Sequence, residues 1–300
     1  MIAFRHILCP VDFSDASTRA LVYATAFAAW YQAQLETLHV VPVFDFDAAM
    51  GPSPSSGEVL SSAAHDRLVA ELRRSIDLAG AAAFNPTALV LEGRVHETIV
   101  NRATAQPADL LVLGTHGRSG FNRLLLGSVS EKVLRIAPCP VLTVPPAAPA
   151  TTTAPVAFKN ILCPIDYSPA ALKALQYALE LGRQAGGQVT VLYALEYVDP
   201  EEPGEHVDFD IRSYRQQVID HARRRLHAKL AGEPRTWCEI EEIVAVNRAY
   251  KEILQRAAAS KADIIVMGAQ GTGGLELLLY GSNTQHVVRA ATCPVLTVRA

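Results

Sequence analysis

Eleven residues near the start of the chain, Phe4-Arg-His-Ile-Leu-Cys-Pro-Val-Asp-Phe-Ser14, return 154 positions later as Phe158-Lys-Asn-Ile-Leu-Cys-Pro-Ile-Asp-Tyr-Ser168. Cys139-Pro-Val-Leu-Thr-Val144 recurs unchanged as Cys293-Pro-Val-Leu-Thr-Val298 at the same offset. Two anchors at one offset make the halves colinear, so the 300 residues encode one folding unit twice. Between the halves, Pro145-Pro-Ala-Ala-Pro-Ala-Thr-Thr-Thr-Ala-Pro-Val156 is rich in Pro and small residues and reads as a linker, extended rather than packed. The expected division is a first domain at 1–145, a linker at 146–157 and a second domain at 158–300.

Within each half, short β-branched apolar runs alternate with segments of helical period, the pattern of a parallel sheet covered by helices. The first half offers strands at Ile7–Val11, Leu35–Val41, Ala88–Glu92, Leu110–Gly114 and Val141–Val144. Five strands fit a doubly wound α/β domain, and the repeat supplies a second. After the first strand, Ala20, Leu21, Ala24, Phe27, Ala28 and Tyr31 recur at three- and four-residue steps and predict a helix. Its counterpart starts with Ser168 as N-cap and Pro169 at the first helical position, and stops at Gly186-Gly187. The last strand of each half, Val-Leu-Thr-Val, is uncharged and would invite pairing if left exposed. Either the two identical edges meet across a pseudo-two-fold axis, making an internal pseudo-dimer, or each is shielded by its own domain. A further homodimer is compatible with both.

Half of the residues are apolar and the formal charge is −3, which excludes a disordered chain and argues against nucleic acid or an anionic membrane as partner. The short run Arg223-Arg224-Arg225 lies in a helical stretch and reads as a solvated face. With no export signal after Met1 and no apolar stretch of the roughly 20 residues a membrane helix needs, the expected location is the cytoplasm. Five cysteines without a Cys-x-x-Cys pair read as reduced core thiols, and no metal site is expected.

The strand ending at Gly114 runs into Gly117 and then Gly127-Ser128, a Gly-x2-Gly-x9-Gly-Ser spacing that Gly268, Gly271, Gly281 and Ser282 repeat. In a parallel sheet, ligands bind beyond the carboxyl ends of the strands, and a helix starting at Gly127-Ser128 would aim free N–H groups at an anion. Glycine lets the backbone approach phosphate, and a serine hydroxyl can donate to it. The loops differ in charge: Arg118 and Arg123 become Thr272 and Leu277, and Asn122 becomes Glu276. The first site is therefore expected to dominate binding of a triphosphate. His116, replaced by Gln270, reads as a polar contact rather than a base.

On these motifs the chain resembles the universal stress proteins in tandem form, over all of its length but the linker, and specifically their ATP-binding branch. The resemblance implies a nucleotide-alpha-hydrolase-like fold, with Pro10 and Asp12 against the nucleoside, Asp12 near the ribose, and the backbone of Val40 recognising adenine. It implies that Gly114, Gly117, Gly127, Ser128, Val129 and Ser130 hold the phosphates. By the offset, the second site would be Pro164, Asp166, Ala194, Gly268, Gly271, Gly281, Ser282, Asn283 and Thr284. For Asp12 and Asp166, helix capping is the other reading. Asn283 stands where relatives carry an apolar residue, and Asn247 replaces Gly93, so the second site departs from the pattern. The implied ligand is ATP, with ADP or AMP as alternatives and Mg²⁺ accompanying ATP.

No Gly-x4-Gly-Lys-Ser/Thr loop or paired acidic Mg²⁺ site is visible, which favours a binding module, a nucleotide-dependent sensor in stress response, over efficient hydrolysis. A slow ATPase and a scaffold that has lost its second site are the alternatives. The insertions from Phe44 to Gly57 and from Val198 to Phe209 read either as lids or as plain surface loops. The signalling partner is not legible.

Overall fold

The computed structural model describes residues 2–43, 60–115, 126–149, 156–196, 211–233, 238–271 and 281–300. Of the described residues, one compact unit takes those up to Val156 together with Thr292–Leu296, and the other takes the rest from Ala157 onward. The first unit runs β1 (His6–Pro10), α1 (Asp15–Tyr31), β2 (Gln34–Pro42), α2 (Ser62–Leu78), a 3-10 turn (Ala82–Phe84), β3 (Thr87–Gly93), α3 (Val95–Ala105), β4 (Leu110–Gly114), α4 (Ser128–Ile136) and β5 (Val141–Val144). The second half repeats it as β6 (Asn160–Ile165), α5 (Pro169–Ala185), β7 (Gln188–Leu195), α6 (Ile211–Leu230), β8 (Glu239–Val246), α7 (Ala249–Ala259), β9 (Ile264–Gly268), α8 (Ser282–Ala290) and β10 (Val295–Val298).

Strand order in the first unit is β3-β2-β1-β4-β5, and the pairs β2–β3, β1–β2, β1–β4 and β4–β5 are all parallel. The second half has the matching order β8-β7-β6-β9-β10. A parallel sheet is covered on both faces, which is why β1 and β4 read as near-continuous apolar runs: Ile7, Leu8, Cys9, Leu110, Leu111 and Val112 have no exposed surface. Helix α1 buries Ala20, Leu21, Ala24, Phe27 and Ala28, the stripe its period predicts. Helix α5 begins as read from sequence: Ser168 Oγ accepts the N–H of Ala171 at 3.2 Å, with Pro169 following. It ends at Gly186 in the left-handed conformation, φ 55°. In the first unit that position is Gln32, which adopts φ 52° at the cost a Cβ brings.

Two expectations need correction. The linker does not start extended: Ala148 is buried, Arg19 Nη1 donates to its carbonyl at 3.1 Å, and Tyr23 Oη donates to the Pro149 carbonyl at 2.7 Å. Proline-bounded carbonyls cannot all pair with backbone, and two long side chains of α1 take them instead. Of the cysteines, all free, Cys139 is only partly buried as a residue, although burial still pushes its thiol up to about 12 and those of Cys9 and Cys163 further.

At the amino ends of the first unit's strands lies a buried ion pair that sequence reading left without a role. Glu36 of β2, 2% exposed, accepts Nε and Nη2 of Arg102 from α3, both at 2.7 Å. His6 of β1 approaches the same carboxylate at 3.8 Å and holds the Pro107 carbonyl through Nδ1 at 3.2 Å. Burial alone would raise the Glu36 pKa, but the Arg102 hydrogen bonds and the nearby His6 ring outweigh it and hold the carboxyl at about 2. The bidentate geometry is what allows a charge to sit in this place.

Candidate functional site

In each half the strand order reverses between the first and fourth strands, β1 and β4 or β6 and β9, and this reversal opens a crevice at their carboxyl ends. Ile7 pairs with Leu110 and Leu8 with Leu111, a register that carries Pro10 to the level of Leu113 and Asp12 to that of Thr115, just past the end of β4. The second half shows the meeting directly. A Cβ on Gly271 would lie 2.6 Å from Asp166 Oδ2, and one on Gly281 would lie 3.5 Å from the Gly271 nitrogen. Sequence positions 166, 271 and 281 therefore converge, as the motif spacing requires.

The acidic turn has the same build in both halves. Asp12 Oδ1 accepts the N–H of Ser14 at 3.1 Å and its hydroxyl at 2.5 Å, and Ser14 in turn caps α1. Asp12 thus orients the cap rather than being the cap. Asp166 Oδ1 likewise accepts the N–H of Ser168 at 2.9 Å, but the Ser168 hydroxyl donates to the Gln270 carbonyl of the glycine loop at 3.3 Å. Between acid and serine, Phe13 and Tyr167 take φ values of 63° and 64°. Non-glycine residues held there cost on the order of 1–2 kcal/mol. Each ring packs on the matching residue of the next strand: Phe13 on His39 at 4.3 Å, Tyr167 on Tyr193 at 5.1 Å. His39 is fixed by donating Nδ1–H to the Val11 carbonyl at 2.7 Å. These turn residues were missed from sequence; the repeated Asp-aromatic-Ser was the only signal.

Both glycine-capped helices start at the crevice. The Gly127 N–H donates to the Thr115 carbonyl at 2.7 Å and Ser130 Oγ to the Gly114 carbonyl at 2.8 Å, pinning the start of α4 to the end of β4. In α8 the same bonds run from Gly281 to Ala269 at 3.0 Å and from Thr284 Oγ1 to Gly268 at 3.0 Å. Ser130 and Thr284 are buried and spend their hydroxyls on this tie, whereas Ser128 and Ser282 stand exposed and Val129 and Asn283 half-exposed at the lip. Neither helix has a side-chain cap, and the first intrahelical bond reaches only Glu131 or Gln285, so the preceding N–H groups lie at the open end.

The backbone of Val40 also faces the crevice. Leu38 accepts the Val11 N–H on the β1 side, while the Val43 N–H reaches Gly93 on the β3 side. Alternation along β2 then turns the N–H and C=O of Val40 toward β1, which has already left the sheet. Ala194 takes the same place in β7, since its neighbour Leu195 accepts the Asn247 N–H from the β8 side. Gly114 and Gly268 have a packing reason to be glycine: a Cβ would come within 2.9 Å of the Ala16 backbone or 2.8 Å of the Ala171 nitrogen. Pro10 is half-exposed at the crevice floor and Pro164 is buried. His116, Gly117 and Arg118, with both insertions named above, lie outside the described residues.

The model of the universal stress protein family matches residues 3–145 and again 157–299. The chain belongs to the universal stress protein family. A family member from Mycolicibacterium smegmatis is 25% identical over 297 residues, covering 98% of this chain and 96% of that protein. One from Mycobacterium tuberculosis (strain H37Rv) is 32% identical over 198 residues, and the match spans 64% of this chain and 62% of the relative's length. A shorter member from Thermus aquaticus is 38% identical over 142 residues, 47% of this chain and 99% of its own. The crystal structure of a universal stress protein from Archaeoglobus fulgidus superposes with a TM-score of 0.61 at 21% identity, covering 98% of both chains, which establishes the shared fold. Among the described residues no helix is long and apolar enough to cross a membrane, and no group of three or more His, Cys, Asp or Glu is placed to hold a metal ion.

Proposed function

We propose that this protein acts in stress response as a nucleotide-dependent regulator, binding an adenine nucleotide in the crevice of each half, with ATP bound foremost in the first. Family membership supports the stress role. The observation that carries the ligand assignment is the convergence of Asp166, Gly271 and Gly281 at the start of α8, which has no side-chain cap among the described residues; the first unit repeats the acidic turn at Asp12 and the glycine start of α4. The helix N-terminus suits phosphate, the carboxylate suits a ribose hydroxyl, and the outward-turned backbone of Val40 offers one donor and one acceptor to a base edge.

Binding is tested by mass spectrometry of small molecules released from the purified, denatured protein, followed by calorimetric titration with ATP, ADP and AMP, with and without Mg²⁺. The decisive variants are Gly127→Asp and Gly281→Asp. Both glycines have negative φ, near −58° and −59°, and a Cβ at 281 meets only ordinary contacts of 3.5 Å or more. Aspartate is a good N-cap, so the fold should hold while its charge repels phosphate. ATP affinity should fall at least tenfold at the altered site; unchanged affinity would refute phosphate binding there.

A further inference from the structure

The two halves differ at a second helix start on the same lip. Helices α3 and α7 each follow the third strand of their half and pack beside α4 and α8. In the second half the N–H of Ala249, first residue of α7, donates to Glu196 Oε1 at 2.7 Å, and the Arg248 N–H donates to Asn247 Oδ1 at 2.8 Å. In the first unit the matching positions are Pro42 and Gly93, and among the described residues no side-chain oxygen takes the N–H of Val95. Gly93 has φ 150°, and a Cβ there would lie 2.5 Å from Thr98 Oγ1, so the first unit's turn has no room for a side-chain cap at that point.

Glu196 lies two residues beyond Ala194, whose backbone turns toward the crevice, and one strand over from Asp166. Its carboxylate is exposed, so its charge acts on whatever occupies the lip. Each helix carries one acid in its first turn, Glu97 or Glu252, and Glu196 adds a second carboxylate at the positive end of α7 that α3 does not receive from Pro42.

We propose that Glu196 is a specificity-determining residue that sets the second crevice against polyphosphate. The first crevice takes the triphosphate, and the second takes an adenine ligand of low negative charge, a nucleoside or nucleoside monophosphate. This rests on the nucleotide reading above.

Glu196→Gln isolates the charge, because the glutamine oxygen still accepts the Ala249 N–H and leaves the helix cap in place. The full chain is titrated calorimetrically with ATP and with adenosine as wild type, Glu196→Gln and the reciprocal Pro42→Glu, and thermal melting verifies that all three are folded. Glu196→Gln should raise ATP affinity at the weaker site about three- to tenfold and leave adenosine within about twofold. Pro42→Glu should lower ATP affinity at the stronger site by a similar factor. A gain shared equally by ATP and adenosine, or an ATP affinity unmoved by the loss of charge, would overturn the proposal. Wild type that binds neither ligand at either site would overturn the nucleotide reading itself, and this proposal with it.

Discussion

Replacing Glu36 with Gln should destabilise the first unit in a way that depends on pH. The carboxyl is held at about 2 against an ordinary 4.5. At ~1.4 kcal/mol for each pH unit, its ionised form contributes about 3 kcal/mol to folding at neutral pH. Because the folded value is the lower one, that contribution is complete above the unfolded value and drains away as pH falls from about 4.5 toward 2. His6 works in the opposite direction. The Glu36 carboxylate beside it raises its pKa above 6.5 despite burial. Its contribution is therefore present below 6.5 and lost as pH rises through the raised value. Peptide-resolved hydrogen exchange in a urea series, followed on β1 and β2 at pH 7, 5 and 3, isolates this unit from the other. Glu36→Gln should cost about 3 kcal/mol at pH 7 and less than half of that, about 1.4 kcal/mol, at pH 3. Arg102→Met should cost as much or more, about 3–5 kcal/mol, because it strands a buried carboxylate, and its deficit should shrink as acid neutralises that charge. A Glu36→Gln deficit that stays constant from pH 7 to pH 3 would refute the assignment to an ionised carboxylate.

The remaining predictions concern backbone geometry. Gln32→Gly should stabilise the first unit by about 0.5–1 kcal/mol in thermal or urea unfolding, because φ 52° suits glycine, while Gly186→Gln should cost the second half a similar amount. The steric surroundings of Gly186 are open, with only Lys159 Nζ at 3.9 Å, so conformation alone sets that cost. Gly114→Ala and Gly268→Ala should each lose about 1–3 kcal/mol by overpacking against the first turns of α1 and α5, with or without nucleotide present. If Gly114→Ala melted like wild type and lost only ATP binding, the packing explanation would fall.

What the sequence disclosed and what it hid divide along a physical line. Repeat anchors, strand positions and the helix starting at Ser128 were legible because they depend on apolar period and glycine spacing, which are local. Glu36 was visible as an acid inside an otherwise apolar run, but its partner Arg102 lies 66 residues away and no spacing rule links them. The left-handed conformation of Phe13 was hidden, since local preference argues against an aromatic residue there and the packing on His39, 26 residues away, helps to hold it. Gly114 was legible as necessary and illegible as to cause. Its spacing suggested close approach to phosphate, and its surroundings show close approach to Ala16; the two reasons are compatible in one atom's absence.

The paired halves also separate what builds the crevice from what tunes it. Backbone features repeat within narrow limits: φ of 63° and 64° at Phe13 and Tyr167, −58° and −59° at Gly127 and Gly281, and the same hydroxyl tie from Ser130 and Thr284. Side chains at the lip do not repeat, as Pro42 against Glu196, Gly93 against Asn247 and His39 against Tyr193 show. Charge can therefore change at the lip without disturbing the scaffold, because the scaffold's hydrogen bonds are made by backbone and by buried hydroxyls. A duplicated chain of this kind can hold two crevices of one shape and different electrostatic strength, and the ligand that each retains becomes a question of a few exposed charges rather than of the fold.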